Sequence, residues 1–251
     1  MLGDGRRRPA AYNTFGRSVL RSIEGGIRMC GRYTLSTTIG TLAEELGVDG
    51  PLPDLHESYN VAPAQEVPAV VTGGGGGRRL ELLRWGLIPS WADDPGIGSR
   101  MINARSETVA EKPSFRRAFK ERRCLIPADG FYEWQKTNGG KQPYYIRMES
   151  GRPFAFAGLW ESWNKGGEGE IRSCTILTTD ANDLVGEIHH RMPVILPPED
   201  YELWLDPAVR EEDQLLTLLA PYPADVMEAY PVSRMVNSPS NDGPGCVERV
   251  A

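Results

Sequence analysis

The chain has 251 residues and a formal net charge of −6, enough length for one large domain or two small ones with a sizeable core. Hydrophobic residues make up 40% and charged residues 25%, which excludes a disordered or fibrous chain, and no apolar run approaches the ~20 residues of a membrane helix. Taken alone, the net acidity argues against a protein that coats nucleic acid by bulk charge.

Residues 1–28 differ from the rest. Six arginines against Asp4 and Glu24 give this stretch +4 and leave −10 for the remainder. No apolar segment follows the arginines, so it is not a secretory signal. It reads as a basic tail, an Arg-rich transit peptide short of serine, or a segment that is never made. The last reading rests on Met29, which directly precedes Cys30. In a bacterial gene, Glu24-Gly25-Gly26 is encoded by a purine-rich stretch resembling a ribosome-binding site. The expected start is therefore Met29, with 1–28 a non-native or disordered extension.

Residues 29–35 are short and β-prone. Ser36-Thr37-Thr38 offer a helix N-cap, Ile39, Leu42, Ala43 and Leu46 follow at helical spacing, and Gly47 is a stop signal. A Pro/Gly/Asp loop spans 48–58. Strands are predicted over 67–71 and 79–85, joined by the glycine run 73–77. An irregular loop at 89–98 carries Trp91. Helices are predicted over 106–111 and 114–121, the second capped by Ser114. Strands follow over 124–134, 143–148, 154–159, 173–178 and 193–196, and helices over 198–205 and 210–219. The tail 239–251 is Pro/Gly/Asn-rich and is expected to be flexible. Many strands with peripheral helices, without βαβ regularity, predict one α+β domain over 29–238: a mixed, mostly antiparallel sheet folded into a partial barrel.

The four cysteines, Cys30, Cys124, Cys174 and Cys246, form no C-x-x-C pair. The three histidines, His56, His189 and His190, show no zinc-like spacing. The sequence therefore predicts no metal, no cofactor and no disulfide scaffold, in a reducing cytoplasm. If Met29 is the start and is removed, Cys30 becomes a terminal 1,2-aminothiol. Its amine and thiol, with ordinary pKa values near ~8 and ~8.5, are both partly nucleophilic at neutral pH. Such a group can attack an aldehyde and close to a thiazolidine, or act as a hydrolase nucleophile. As an internal residue, Cys30 is simply a small hydrophobe.

Asn103 and Arg105 alternate in a stretch entering a predicted helix, where a cap and a surface charge are the ordinary explanation. Glu133 lies between two aromatics on a predicted strand, either as an acid/base with a raised pKa or as a strand-edge carboxylate. His189 has the titration range for proton transfer or is a satisfied structural histidine. From Arg100 to Arg123 there are eight basic residues against three acids, a local +5. Trp85, Trp91, Phe115 and Phe119 lie in or just before that stretch. Basic and aromatic groups together suit single-stranded nucleic acid, or else form a solvated helix face over a core.

Seven stretches together resemble the SOS response-associated peptidase (SRAP) family, the abasic-site-processing proteins. They are Met29-Cys30-Gly31-Arg32-Tyr33, Tyr59-Asn60-Val61-Ala62-Pro63, Arg84-Trp85-Gly86-Leu87-Ile88-Pro89-Ser90-Trp91, Ile102-Asn103-Ala104-Arg105-Ser106-Glu107-Thr108, 124–134, Ile188-His189-His190-Arg191-Met192-Pro193 and Pro231-Val232-Ser233. They occur in family order. The resemblance implies an α+β pseudo-barrel with a basic cleft. It implies binding of single-stranded DNA at abasic sites and a covalent thiazolidine cross-link in the DNA damage response. Cys30 would be the nucleophile, Asn103 would orient the N-terminus and sugar, Glu133 would move protons around the imine, and His189 would help open the sugar. Arg32, Trp85 and Arg105 would hold the DNA. A monomer at the cytoplasmic nucleoid is expected. Two alternatives remain beside this one: an N-terminal-nucleophile autopeptidase using Cys30, Glu133 and His189, and a non-covalent single-stranded DNA binder.

Overall fold

Strands dominate because β-branched and aromatic residues cluster in runs separated by glycine-rich turns. The computed structural model describes residues 31–165, 167 and 169–250. In chain order they form β1 (Tyr33–Leu35), α1 (Ile39–Leu46), β2 (Ser58–Val61), β3 (Glu66–Thr72), β4 (Arg78–Trp85), β5 (Asn103–Arg105), α2 (Arg116–Glu121), β6 (Arg123–Ala128), β7 (Gly130–Thr137), β8 (Gly140–Met148), β9 (Phe154–Trp163) and β10 (Ile171–Asp180). There follow α3 (Asp183–Gly186), β11 (Arg191–Pro193), β12 (Ile195–Leu196), α4 (Tyr201–Leu205), α5 (Glu212–Thr217) and β13 (Met227–Pro231).

Five strands close on themselves. β3 pairs β4 and β6, β6 pairs β9, β9 pairs β10, and β10 returns to β4 in parallel. A second sheet of five strands runs β13-β8-β7-β1-β2. The architecture is thus the α+β, mostly antiparallel pseudo-barrel that the sequence predicts. Its core is aromatic at the centre. Tyr33 meets Trp85 edge-on with ring centroids 5.3 Å apart, and Phe156 at 5.8 Å. A smaller cluster of Tyr132, Trp134, Tyr145 and Tyr230 lies on the other side of the second sheet.

The first helix forms as its sequence signals dictate. Thr38 caps it through Thr41 N–H, Gly47 ends it at φ +61°, and Leu42 and Leu46 share the buried face. Asp129 adds a long-range tie, accepting from the backbone N–H and hydroxyl groups of Ser36 and Thr37. The segment 124–134 is two strands, broken where Asp129 turns away to make those bonds.

Three expectations need correction. Residues 106–111 form only a 3₁₀ turn at Ser106–Thr108. Ser114 does not cap α2, whose N-cap is Phe115 without a side-chain bond. The tail is packed: Cys246 is buried, Asp242 accepts from Tyr59 N–H and Ser58 Oγ, and Val250 N–H reaches Pro231 O. Buried Asn60 explains this order, because its amide nitrogen donates to Val236 O, Ser238 O and Asn241 O. Among the described residues no helix is long and apolar enough to cross a membrane.

Candidate active site and nucleic-acid face

The start of the domain is directed by β1. This strand lies antiparallel to β7, with Tyr33 opposite Phe131 and Thr34 opposite Gly130. Tyr132 N–H donates to Arg32 O at 3.0 Å. That bond sets Arg32 beside the residue that precedes Glu133 on β7. Glu133 is itself only 1% exposed, opposite Tyr144 on β8. Cys30 precedes Gly31 and lies outside the described residues, as do residues 1–29.

Asn103 and Arg105 lie on β5, which runs parallel to β10 with Asn103 opposite Ile176 and Arg105 opposite Thr178. β11 pairs the other edge of the same half of β10. Arg105 is exposed and Asn103 half-buried. His189 sits in the turn between α3 and β11. Its Nδ1 lies 3.1 Å from the Arg191 backbone N and 3.3 Å from Arg191 O, so the Arg191 backbone fixes the ring in either tautomer. Burial holds the imidazole below the usual histidine range, opposed by the hydrogen bond to the Arg191 backbone and reinforced by His190, Lys136 and Lys141.

Two side chains join these segments. Arg191 is buried and binds Glu107 through both Nη atoms, Asp180 at 2.7 Å and Thr178 O at 2.7 Å. It thereby fastens the turn after β5 to the His189 turn. Its hydrogen bond also holds the Glu107 carboxyl below the usual carboxylate range. Gln135 Nε2 donates to Glu187 O at 2.9 Å. Gln135 and Glu133 are two residues apart on a strand and share a face, so the His189 turn packs on the side of β7 that carries Glu133. The segments bearing Asn103, Glu133 and His189 are therefore gathered. Sequence reasoning named neither Arg191 nor Gln135 as a fastener. The only signal was the position of Arg191 between a histidine pair and a proline.

Two residues expected to bind DNA are otherwise committed. Trp85 is 1% exposed, packs on Tyr33 and donates Nε1–H to Ile102 O at 2.9 Å. It is a core residue and has no face free for a base. Arg32 donates Nη1–H to Asn60 Oδ1 and Val236 O, both at 2.8 Å, and Nη2–H to Asn237 O at 3.3 Å. Its guanidinium ties the C-terminal segment to β1 and β2.

The tryptophan that does reach solvent is Trp91, 52% exposed. Its loop is pinned by Gly86 and Gly98, whose backbones touch so closely that a Cβ on Gly86 would lie 2.7 Å from Gly98 O. Gly86 also has φ +131°, a conformation suited to glycine. Lys165 Nζ donates to Trp91 O at 2.8 Å.

The basic stretch is likewise thinner than its composition. Arg123 is buried, while Arg117, Lys120 and Arg122 pair with Glu121, Glu212 and Glu161. Phe115 and Phe119 belong to the core. Arg100, Arg105, Lys112 and Arg116 are exposed.

Residues 29–239 match the family described as SOS response associated peptidase (SRAP). The chain belongs to that family. It is 49% identical over 223 residues to "Abasic site processing protein YoqW" of Bacillus subtilis (strain 168), covering 88% of this chain and 99% of the relative. It is 36% identical over 222 residues to "Abasic site processing protein HMCES" of Gallus gallus, covering 76% of this chain and 65% of that protein. A crystal structure of a protein from Bacteroides thetaiotaomicron superposes with a TM-score of 0.80 at 30% identity, covering 88% of this chain and all of that one.

The candidate site is a meeting of strand edges and turns. The cavity of about 430 Å³ lies elsewhere, lined by Leu42, Met148, Phe154, Tyr201 and Tyr222 among others, and includes none of the described site residues. Among the described residues no three or more His, Cys, Asp or Glu side chains cluster as a metal site.

Proposed function

We propose that this SRAP protein captures abasic sites in single-stranded DNA by a covalent cross-link through Cys30. The observation that carries the reading is the β1–β7 register, which runs the chain toward buried Glu133 while Gln135 ties the His189 turn to the same side of β7. Family membership and the names of the relatives supply the substrate class.

An abasic deoxyribose is mostly a closed hemiacetal. His189 exchanges a proton with the ring oxygen and exposes the C1′ aldehyde. The Cys30 amine attacks C1′. Glu133 relays a proton to the departing hydroxyl, so water leaves and an imine forms. The Cys30 sulfur then adds to the imine carbon and the nitrogen takes the proton, closing a thiazolidine with net loss of one water. Asn103 orients the amine and sugar, Arg105 holds a flanking phosphate, and Trp91 replaces Trp85 as the base-stacking ring. The adduct shields the lesion, because the closed ring removes the imine from which strand cleavage proceeds.

The chemistry needs a free α-amine on Cys30, so the reactive form begins there, whether by initiation at Met29 or by removal of a leader. Self-removal of a leader by the same cysteine is the subordinate activity that the word peptidase in the family description would fit.

Intact mass of a chain beginning at Cys30, after incubation with an abasic oligonucleotide, is expected at protein plus DNA less one water. Cys30→Ala is expected to give no adduct and to keep salt-sensitive binding. No adduct from the chain beginning at Cys30 would leave only the non-covalent binder.

A further inference from the structure

β7 and β8 end in a short hairpin whose outer pairs are Gln135 opposite Gln142 and Lys136 opposite Lys141. From 135 to 142 it carries no acid. Like charges directly opposite one another destabilise a sheet. Among the described residues the lysine ion pairs are those of Lys120 and Lys165, so this repulsion is uncompensated. A third cation joins them. Arg234 is exposed and donates Nη2–H to Gly139 O at the hairpin tip, at 3.5 Å.

The hairpin is held at both edges. Gln135 Nε2 bonds Glu187 O, and Gln142 Nε2 bonds Val232 O at 2.8 Å. Alternation along β7 sets Lys136 on the face opposite Glu133 and Gln135, which makes it the outer side of the strand that carries the candidate acid/base. Both lysines are close enough to His189 to oppose its charged form. Three cations on a fixed support, without ion pairs among the described residues, suit a run of phosphodiesters better than a single anion.

We infer that Lys136, Lys141 and Arg234 form a platform for the sugar–phosphate backbone of the DNA strand flanking the reacting nucleotide. The inference rests on the single-stranded DNA reading above and extends it to groups outside the seven family stretches.

The test measures binding of an unmodified single-stranded oligonucleotide by fluorescence anisotropy across a salt series, so the covalent step does not enter. Each phosphate neutralised on a single strand contributes about 0.7 to the slope of log K against log salt. The Lys136→Gln/Lys141→Gln/Arg234→Gln variant is therefore expected to lose about 2 from that slope, by the same relation. Arg152→Gln, beyond the far end of β8, is expected to keep the parent slope. Against abasic DNA the triple variant is expected to need more DNA for half-saturation. Should the triple variant fail to fold, Lys136→Gln alone is expected to lose about 0.7. An unchanged slope overturns the platform, as does a parent chain with no salt-dependent binding. A parent that binds but forms no adduct overturns the covalent reading alone.

Discussion

Trp85 and Trp91 belong to one eight-residue stretch, yet only the second can meet a base. Trp91→Ala is expected to weaken single-stranded DNA binding by the ~1–3 kcal/mol that one base–aromatic stack contributes, with the melting temperature unchanged. Trp85→Ala is expected to cost about 3–5 kcal/mol of stability, as for other buried aromatics. Anisotropy and urea denaturation of the two variants separate the roles, and a DNA-binding loss without destabilisation in Trp85→Ala would reverse the assignment. The sequence shows both rings but not their exposure, because that depends on Tyr33 and Ile102 reaching Trp85 from other elements. His189 offers a second check. Burial lowers its folded pKa below the ~6.5 of an unfolded chain. Its contribution to stability is therefore complete above pH 6.5 and is lost as pH falls through the lowered folded value. The NMR titration midpoint of its ring protons is expected below 6.5; a midpoint at or above 6.5 contradicts the assigned environment.

Elements here are set by single polar side chains as much as by apolar period. Arg123 stands for the eight cations that composition groups into one basic stretch, and it serves the core. Its guanidinium donates to Phe119 O and Lys120 O at the end of α2, to Trp204 O and Asp206 O at the end of α4, and to Val209 O. These are carbonyls that helix ends leave without partners. α2 and α4 are six and five residues long, too short to hold themselves in water, so this shared cap carries much of their order. Arg123→Met is expected to cost about 3 kcal/mol or more through unsatisfied buried carbonyls, and Arg123→Lys to recover only part, lacking the planar fork. Hydrogen exchange at 118–122 and 202–206 should quicken together in both variants; loosening of one helix alone would contradict the shared cap. The same kind of long-range satisfaction hides β2 and β13 from periodicity. β1 is legible from its β-prone run, but its register is not, because Tyr132 N–H and the Arg32 carbonyl lie 100 residues apart.

At the scale of the molecule, the first described residues and the last belong to one structural unit. Arg32 leads into the strand that approaches Glu133, and it is held by carbonyls of Val236 and Asn237. The Val236 carbonyl also accepts from Asn60 Nδ2, which donates on to Ser238 O and Asn241 O, and Cys246 packs in the same apolar cluster as Val236. The Pro/Gly/Asn-rich composition that reads as a frayed tail is here the composition of successive turns. Periodicity cannot reveal this, because the order comes from Asn60 and Asp242 and not from an apolar repeat. The gathering of Asn103, Glu133 and His189 into one region is legible only through family resemblance, since three separate turns and strand edges carry them. Deleting residues 239–251 therefore tests the fold and the site together. Burial of one small side chain and loss of four hydrogen bonds, two to Asp242, one to Asn241 O and one from Val250 N–H, amount to about 4 kcal/mol, which for a chain of this size lowers the melting temperature by roughly 8–16 °C. Below that new melting point, the truncated chain beginning at Cys30 is expected to cross-link abasic DNA more slowly at saturation, because the segment whose carbonyls hold Arg32 loses its Asn241 and Cys246 anchors. Asn60→Ala is expected to show both effects in weaker form, since it removes the Asn241 contact together with those to Val236 O and Ser238 O but leaves Cys246 in place. A truncated chain that melts with the parent would show that the C-terminal turns are ornament to the barrel, and one that melts early but cross-links at the parent rate would uncouple them from the site.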